Sequence, residues 1–197
     1  MTIGVLALQG DFALHEKVLE RIGEKSVEVR EPAELDGIDG LIIPGGESTT
    51  LLKLCDEWGF EPALNAFHKA KKAIFGTCAG LILLAREVEH PKQGSFGFID
   101  VTAERNAYGR QKQSFEATGE ATLNGEPKPL AMVFIRAPRI TRLGPGVTPL
   151  AFYKGECVMA REGSVLVSSF HPELTDDSAV HRYFLTMVEE HRKAAQR

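Results

Sequence analysis

The sequence predicts a doubly wound α/β fold, in which a mostly parallel sheet carries helices on both faces. The runs at 3–8, 41–43 and 73–75 are continuously apolar, as expected of strands covered on both sides. Stretches with helical periodicity separate these runs, and parallel strands joined through helices make right-handed crossovers. Short β-type runs follow in the second half, and we expect them to add antiparallel strands to the same sheet.

The elements of the first half follow from local patterns of apolar residues and from helix caps. Leu14, Val18 and Ile22 repeat at helical spacing, and Glu61-Pro62 is typical of a helix start. Pro44-Gly45-Gly46 ends a buried strand. The predicted order is a strand at 3–8, a helix over 14–22, strands at 26–30 and 41–43, a helix capped by Ser48 or Thr49, a helix from Glu61 to about Lys72, a strand at 73–75 and a buried helix from Leu81.

The second half is expected to extend the sheet and to end in a helix. Asp176 or Asp177 is a suitable cap for that helix, which has one apolar face. The sequence of 197 residues contains no linker or repeat, so we expect a single domain over residues 1–197. The predicted strands of this half lie at 98–101, 132–135, 157–160 and 165–167.

Composition restricts the function classes. The net charge is −4 and the isoelectric point is near 5.9, which favours neither nucleic acid nor an anionic membrane as a partner. We expect no signal peptide and no membrane span, because no apolar run approaches the 18 or so residues that a bilayer requires. Cys55, Cys78 and Cys157 form no C-x-x-C pair, which predicts a reducing, cytoplasmic location. The sequence has no metal-binding motif, and we expect no metal.

One pentapeptide, Gly76-Thr77-Cys78-Ala79-Gly80, has the pattern of a nucleophile elbow between a strand and a helix. Such a turn pushes the cysteine into a cleft and points the first helix amides, including that of Ala79, at the atom under attack. These amides and the helix dipole favour a thiolate and a developing oxyanion. The alternative interpretation is a turn of small residues around an inert buried cysteine.

His171 is the histidine best placed to serve Cys78 as a base. It follows the strand at 165–170, at the carboxyl end where open α/β sheets place their sites. Residues two apart in an extended segment point to one side, so we expect Glu173 to orient the imidazole. Taken alone, His171-Pro172-Glu173 also fits a polar surface turn. The histidines for which a solvated or core role is expected are His15, His68, His90, His181 and His191.

Two further segments carry candidate binding residues. The glycines of Pro44-Gly45-Gly46-Glu47-Ser48-Thr49 allow backbone amides to point into a cleft as oxyanion donors, although the segment also fits a glycine turn with a helix cap. Arg105 and Arg136 are suited to clamp a substrate carboxylate. On spacing alone, each arginine also fits a solvated surface position.

The motifs occur together along the whole chain. They are Leu8-Gln9-Gly10, Gly45-Gly46-Glu47-Ser48-Thr49-Thr50, Gly76-Thr77-Cys78-Ala79-Gly80, Glu104-Arg105-Asn106, Gly109-Arg110-Gln111, Phe134-Ile135-Arg136-Ala137-Pro138 and Ser169-Phe170-His171-Pro172-Glu173-Leu174. Jointly they resemble class I, or triad, glutamine amidotransferases. Within that class they resemble the glutaminase subunits of two-protein pyridoxal 5′-phosphate synthases. That family has a flavodoxin-like fold and needs no cofactor of its own.

The resemblance implies a role for each matching residue. It makes Cys78 the nucleophile, His171 the general base and acid, and Glu173 the residue that orients His171. A glutamyl thioester would form and be hydrolysed, releasing L-glutamate and ammonia. The residues implied in binding L-glutamine are Gly46, Glu47, Ser48, Arg105, Ile135 and Arg136, and those implied in the oxyanion hole are Gly46 and Ala79.

The resemblance also implies a protein partner. Glutaminases of this family deliver ammonia to a (β/α)₈-barrel synthase subunit within a large hetero-oligomer and are weakly active until they dock. Gln9 is then a candidate part of the docking switch. Two other functions stay open, a thiol hydrolase or redox sensor of the same fold and a non-catalytic assembly subunit. In the first group a histidine directly follows the elbow cysteine, whereas here Ala79 does; the complete triad disfavours the second.

Overall fold

The computed structural model describes residues 1–105, 107 and 114–195. The strands within these residues belong to one large and one small sheet. In chain order they are β1 (Thr2–Leu6), β2 (Lys25–Val29), β3 (Gly40–Ile43), β4 (Ala73–Thr77), β5 (Ala85–Glu89), β6 (Ile99–Glu104), β7 (Ser114–Leu123), β8 (Glu126–Ile135), β9 (Arg139–Leu143), β10 (Thr148–Tyr153), β11 (Glu156–Glu162) and β12 (Val165–Ser168).

The large sheet has the order β2-β1-β3-β4-β12-β11-β10-β7-β8. Its first five strands are parallel, with β12 beside β4 although it is the last strand in the chain. The remaining four are antiparallel to their neighbours. The predicted α/β class with added antiparallel strands is therefore confirmed. Because β12 is inserted next to β4, the segments that follow these two strands lie side by side at one edge of the sheet.

Helices cover both faces of the parallel strands. Leu41 and Ile43 belong to a core that includes Leu51 and Leu64, whereas Ile42 lies in a second core with Phe184. Alternate residues of one strand thus enter two different cores, which explains why the runs are apolar without interruption. The helices of the described residues are α1 (Phe12–Arg21), α2 (Ser48–Glu57), α3 (Phe60–Lys69), α4 (Ala79–Leu84) and α5 (Ala179–Ala195), with 3₁₀ turns at Pro32–Gly37 and Pro172–Leu174.

One predicted strand lies elsewhere than expected. The run at 98–101 does not extend the large sheet, because it becomes β6 in a separate sheet of order β5-β6-β9. α4 ends at Leu84 and β5 begins at Ala85, so the chain passes directly from this helix into the small sheet. Alternate residues of β6, among them Ile99 and Val101, pack into the same core as α4. The small sheet therefore covers α4.

Two helix boundaries differ from the expectation. The cap of α2 is Glu47, rather than Ser48 or Thr49, because the Glu47 carboxylate accepts the backbone N–H groups of Thr49 and Thr50. The helix after Glu61-Pro62 ends at Lys69. The predicted Asp177 lies one residue before the N-cap of α5, which is Ser178, and its carboxylate accepts the first helical N–H, that of Ala179, at 2.9 Å.

Among the helices of the described residues, none combines the length and the apolar character that crossing a bilayer requires.

Candidate active site

Cys78 is the single residue between β4 and α4. Its backbone has φ 48° and ψ −99°, a strained conformation for a residue that carries a Cβ. Two hydrogen bonds hold it there: Cys78 N–H donates to the Ser168 carbonyl at 2.9 Å, and the Cys78 carbonyl accepts Ile82 N–H at 3.2 Å. A Cβ on Gly80 would collide with the Ile43 carbonyl, so the turn requires glycine there. Strand, cysteine and helix therefore meet in the predicted elbow geometry.

His171 and Glu173 lie beyond the carboxyl end of β12, the strand next to β4. The structure differs here from the expected extended segment, because Pro172 begins a 3₁₀ turn. The side chains still meet, with Nδ1 of His171 2.7 Å from Oε1 of Glu173, and both residues are buried. The His171 backbone N–H donates to the Val133 carbonyl, which fixes the start of the turn against β8.

Gly45 brings the nucleophile and the histidine together. A Cβ built on Gly45 would lie 3.4 Å from Cβ of Cys78 and would overlap the imidazole of His171. The backbone after β3 therefore packs directly against both side chains. Since Nδ1 of His171 faces Glu173, its Nε2 is the nitrogen left for the cysteine.

Electrostatics favour a charged His171–Glu173 pair. Burial alone would lower the pKa of His171, but the neighbouring Cys78 and Glu173 outweigh it and raise this pKa to about 10. Burial would likewise raise the pKa of Glu173, but the adjacent His15 and His171 and its own backbone N–H lower it to about 2. Glu173 is therefore ionised at neutral pH and stabilises an imidazolium at His171.

A pocket of about 230 Å³ opens above Cys78. This volume lies below the roughly 300 Å³ at which pockets for drug-sized ligands begin, so the pocket suits a small metabolite. Of the candidate residues, Glu173 and Ala79 do not line it: Glu173 lies behind His171, and Ala79 is buried in the elbow. The lining residues are Gln9, Asp11, Gly46, Glu47, Ser48, Cys78, Ile82, Arg105, Ile135, Arg136 and His171.

The loop between β3 and α2 forms one wall of this pocket. Its Glu47 N–H donates to Oε1 of Gln9 at 3.0 Å, so the Gln9 side chain is the hydrogen-bond acceptor for one of the loop amides. Ser48 is almost fully buried, and its hydroxyl donates to Oε1 of Gln93 at 2.9 Å. Gly46 packs against the Gln9 side chain.

Charged groups lie opposite this loop. Nη2 of Arg105 is 3.6 Å from Oε1 of Glu47, and only 13% of the Arg105 side chain is exposed. Arg136 has a left-handed backbone with φ 42°, and the preceding carbonyl, that of Ile135, lies 3.9 Å from Sγ of Cys78. The neighbouring motif residues Asn106, Gly109, Arg110 and Gln111 lie outside the described residues.

Three residues at or behind this pocket were not predicted to belong to the site: Asp11, His15 and His181. Asp11 lines the pocket, with Oδ2 3.9 Å from Nδ1 of His171. The signal for it was present, because Asp11 follows β1 at the same edge of the sheet as the elbow. His15 and His181 are fully buried behind Glu173, so the core position, one of the two expected for them, is confirmed.

One cluster among the described residues has donor atoms close enough to hold a metal ion. Asp11, His171 and Glu173 bring one donor atom each within 4.8 Å of one another. However, Nδ1 of His171 is engaged with Glu173, and a protonated nitrogen has no lone pair for a metal.

Comparison with known proteins identifies the family. A family model described as the SNO glutamine amidotransferase family matches residues 5–190. The chain belongs to this family. Among the curated relatives, a protein of Koribacter versatilis named pyridoxal 5′-phosphate synthase subunit PdxT is 54% identical over 95% of this chain and 96% of its own. A protein of Niallia circulans with the same name is 48% identical over 98% of this chain and 100% of its own.

Two solved structures resemble the chain to different degrees. A crystal structure described as a glutamine amidotransferase has a TM-score of 0.88 and 47% identity, covering 95% of this chain and 98% of that chain. A structure described as a putative GMP synthase protein from Thermoplasma acidophilum has a TM-score of 0.69 at 17% identity, covering 100% of this chain and 98% of that chain. The second likeness extends to the fold alone.

Proposed function

We propose that this chain hydrolyses L-glutamine to L-glutamate and ammonia, with Cys78 as nucleophile, His171 as general base and acid, and Glu173 as the residue that orients His171. One observation carries the proposal: a cysteine held in a strained elbow opens into a small pocket beside a buried histidine–carboxylate pair. Membership of a glutamine amidotransferase family supports the same chemistry.

The first half of the reaction forms a thioester. Nε2 of His171 holds the proton taken from Sγ of Cys78, as the raised pKa of His171 favours, and the sulfur attacks the side-chain carboxamide carbon of glutamine. Electron density passes to the amide oxygen, which the Ala79 N–H at the start of α4 and the Gly46 amide are proposed to stabilise. The tetrahedral intermediate collapses when His171 returns the proton to the amide nitrogen, so that ammonia leaves and a γ-glutamyl thioester stays on Cys78.

The second half regenerates the enzyme. His171 takes a proton from water, the hydroxide attacks the thioester carbon, and the Cys78 sulfur leaves with the proton from His171 to give L-glutamate. Glu173 stays ionised throughout, because its low pKa of about 2 makes it a stabiliser of the imidazolium and not a proton carrier.

Recognition of glutamine is assigned to the charged and backbone groups of the pocket. Arg105 is suited to the α-carboxylate, because it is mostly buried and its guanidinium faces the pocket. Gly46, Glu47 and Ser48 form one wall around the substrate, and Ile135 and Arg136 form the other. The small volume favours a single free amino acid over a peptide.

The relatives named pyridoxal 5′-phosphate synthase subunit PdxT suggest where the ammonia goes. We assign this chain the same role, as a single glutamine amidotransferase domain over residues 1–197 that docks on a barrel-type synthase subunit in a large hetero-oligomer. Three free cysteines suit a cytoplasmic location. Gln9 is proposed as part of the docking switch, since its side chain holds the Glu47 amide that borders the oxyanion site.

The decisive experiment measures ammonia and glutamate release from L-glutamine, with and without a barrel-type synthase subunit. Cys78→Ala is expected to abolish release, whereas the matched control Cys157→Ala keeps it, because Cys157 lies in β11 outside the pocket. Full ammonia release by Cys78→Ala with the partner present would refute the assignment. A wild-type chain without glutaminase activity in the complex would favour the assembly-subunit or thiol-hydrolase alternatives.

A further inference from the structure

Two histidines form a buried polar chain behind the catalytic carboxylate. His15 on α1 and His181 on α5 have no exposed surface. Nε2 of His15 lies 3.4 Å from Oε2 of Glu173, and its Nδ1 lies 3.0 Å from Nε2 of His181. The chain therefore runs from the carboxylate through one imidazole to the next, on the side of Glu173 opposite to His171.

The charge of Glu173 decides where the protons lie in this chain. An ionised carboxylate only accepts hydrogen bonds, so the His15 nitrogen that faces it carries the proton. The other His15 nitrogen is then a lone pair and accepts from Nε2–H of His181. In this arrangement Nδ1 of His181, which has no hydrogen-bond partner among the described residues, is a lone pair and not a buried unpaired N–H.

Each oxygen of Glu173 thereby faces one histidine. Oε1 accepts from His171, whereas Oε2 has no hydrogen-bond partner among the described residues and lies 3.4 Å from Nε2 of His15, an electrostatic contact between the carboxylate and the N–H dipole. The hydroxyl of Thr77, the residue before the nucleophile, lies 3.3 Å from the same His15 nitrogen, so the chain also touches the elbow. The carboxylate is thus held from both sides, and its rotation would break at least one of the two contacts.

Burial keeps both histidines uncharged. It lowers the pKa of His15, against the attraction of Glu173 and Asp11 and with the repulsion of His171. Burial, together with His15 and Arg21, lowers the pKa of His181 to about 3, opposed by Glu173. At neutral pH the pair therefore acts on Glu173 through oriented N–H groups and adds no second positive charge beside His171.

We propose that His15 is a positioning residue, which holds Glu173 ionised and aligned on His171, and that His181 fixes the proton position of His15. The inference rests on the proposed function, in which Glu173 orients His171. A purely structural role is less consistent with the geometry. Apolar side chains would fill this space against Phe75, whose ring lies 6.3 Å from His15 and 6.1 Å from His181 centroid to centroid, without burying polar atoms.

The test follows the pKa of His171 by NMR, using the pH titration of ¹³Cε1-labelled histidine in the full-length protein. Gln places an amide N–H near the position of the His Nε2–H, whereas Asn places it near Nδ1. His15→Asn is expected to lower the pKa of His171 by roughly one pH unit, because the N–H dipole 3.4 Å from Oε2 of Glu173 is lost and Glu173 binds its proton more readily. His15→Gln is expected to recover at least half of that shift.

The same comparison applies to the second histidine. His181→Leu is expected to lower the pKa of His171 by less than His15→Asn does. His181→Gln is expected to lower this pKa by less than His181→Leu does. His191→Gln is the matched control on α5, because His191 is half-buried and bonds the Ala70 carbonyl away from the pocket; it should leave the His171 titration unchanged. In glutaminase assays, His15→Asn is expected to lower kcat about tenfold with KM unchanged.

The outcomes separate the two proposals. Equal His171 titrations for His15→Asn, His15→Gln and the wild type would overturn the positioning role, as would equal shifts in the two His15 variants. The titration needs no glutamine. If the protein had no glutaminase activity, the proposed function would be refuted, and the His171 titration would still test the role of His15. A fall in thermal stability without a change in the pKa of His171 would show a structural role only.

Discussion

Nδ1 of His171 lies 2.7 Å from Oε1 of Glu173, and both side chains are almost completely removed from water. In such surroundings an ionic hydrogen bond is stronger than at the surface, and its loss leaves a buried group unpaired. The bond also selects the tautomer of His171, because the nitrogen that faces the carboxylate must carry the proton. The other nitrogen, Nε2, is then the one that exchanges a proton with Cys78 and the substrate.

Replacement of Glu173 by Gln tests this bond. Gln keeps the shape but carries no charge, so it no longer raises the pKa of His171 or stabilises its imidazolium. We expect kcat for glutamine hydrolysis to fall by roughly 10⁴-fold, as it does when triads lose their carboxylate. Partner binding should persist. Unchanged turnover in Glu173→Gln, measured at several pH values, would contradict the orienting role.

Gly45 tests the packing between the loop and the catalytic pair. An added Cβ would lie 3.0 Å from Nδ1 of His171 and would overlap its ring, so Gly45→Ala must displace the imidazole or the loop. We expect kcat to fall by about 10²-fold, since a displacement of about 1 Å at a reacting group has that effect. Gly37→Ala is the matched control, because a Cβ there meets nothing within 4 Å.

Thermal unfolding distinguishes the two effects of Gly45→Ala. Overpacking of this kind destabilises a protein by about 1–3 kcal/mol, which leaves the chain folded at 25 °C. A variant that is folded and fully active would show that the loop moves away from His171 in the working enzyme.

Arg105 tests substrate recognition. We expect Arg105→Ala to raise KM for glutamine by roughly 10- to 100-fold with a smaller effect on kcat, because a charged hydrogen bond to the substrate is lost. Arg86→Ala is the control, since Arg86 is 63% exposed on β5 and pairs with Asp100 away from the pocket. Steady-state kinetics of the two variants give the comparison. An unchanged KM in Arg105→Ala would assign the α-carboxylate to another group.

The elements that depend on a local pattern of residues could be predicted from the sequence. Continuous apolar runs predicted β1, β3 and β4, because both faces of these strands are covered. The elbow was also predictable, since Gly76 and Gly80 leave room for backbone contacts that a Cβ would prevent. The placement of β6 was not, because its alternating pattern fits the edge of the large sheet and the small sheet equally well, and only the short α4 decides between them.

The missed residues show a second limit. His15 lies on the buried face of α1 with Val18 and Leu19, so its spacing is that of any core residue. Only the fold reveals that α1 and α5 converge behind Glu173. Glu47 was missed as a helix cap because Glu is not among the favoured N-cap residues, yet its carboxylate reaches two backbone N–H groups.

The buried histidines also determine how the free energy of unfolding changes at acid pH. Burial lowers the pKa of His181 from 6.5 to about 3, so between these values the unfolded chain binds a proton that the native chain does not. The free energy of unfolding must therefore decrease as the pH falls through this window, by about 1.4 kcal/mol per pH unit for one such group. His15 acts in the same direction, and Glu173 adds to the loss below pH 4.5.

His171 affects stability in the opposite direction, because its contribution is lost as the pH rises. Its pKa is raised from 6.5 to about 10, so its contribution is complete below pH 6.5 and is lost as the pH rises towards 10. Together these groups place the maximum of stability near neutral pH.

Urea unfolding of the wild type and of His181→Gln between pH 4 and 8 tests the histidine contribution. Gln does not titrate, so the acid side of the variant's stability curve should be shallower by about 1.4 kcal/mol per pH unit, whereas the alkaline side keeps its slope. His191→Gln on the same helix is the matched control, because it replaces a histidine outside the buried pair. Parallel curves for wild type and His181→Gln would mean that His181 binds a proton in the native chain as readily as in the unfolded one, which its complete burial makes costly.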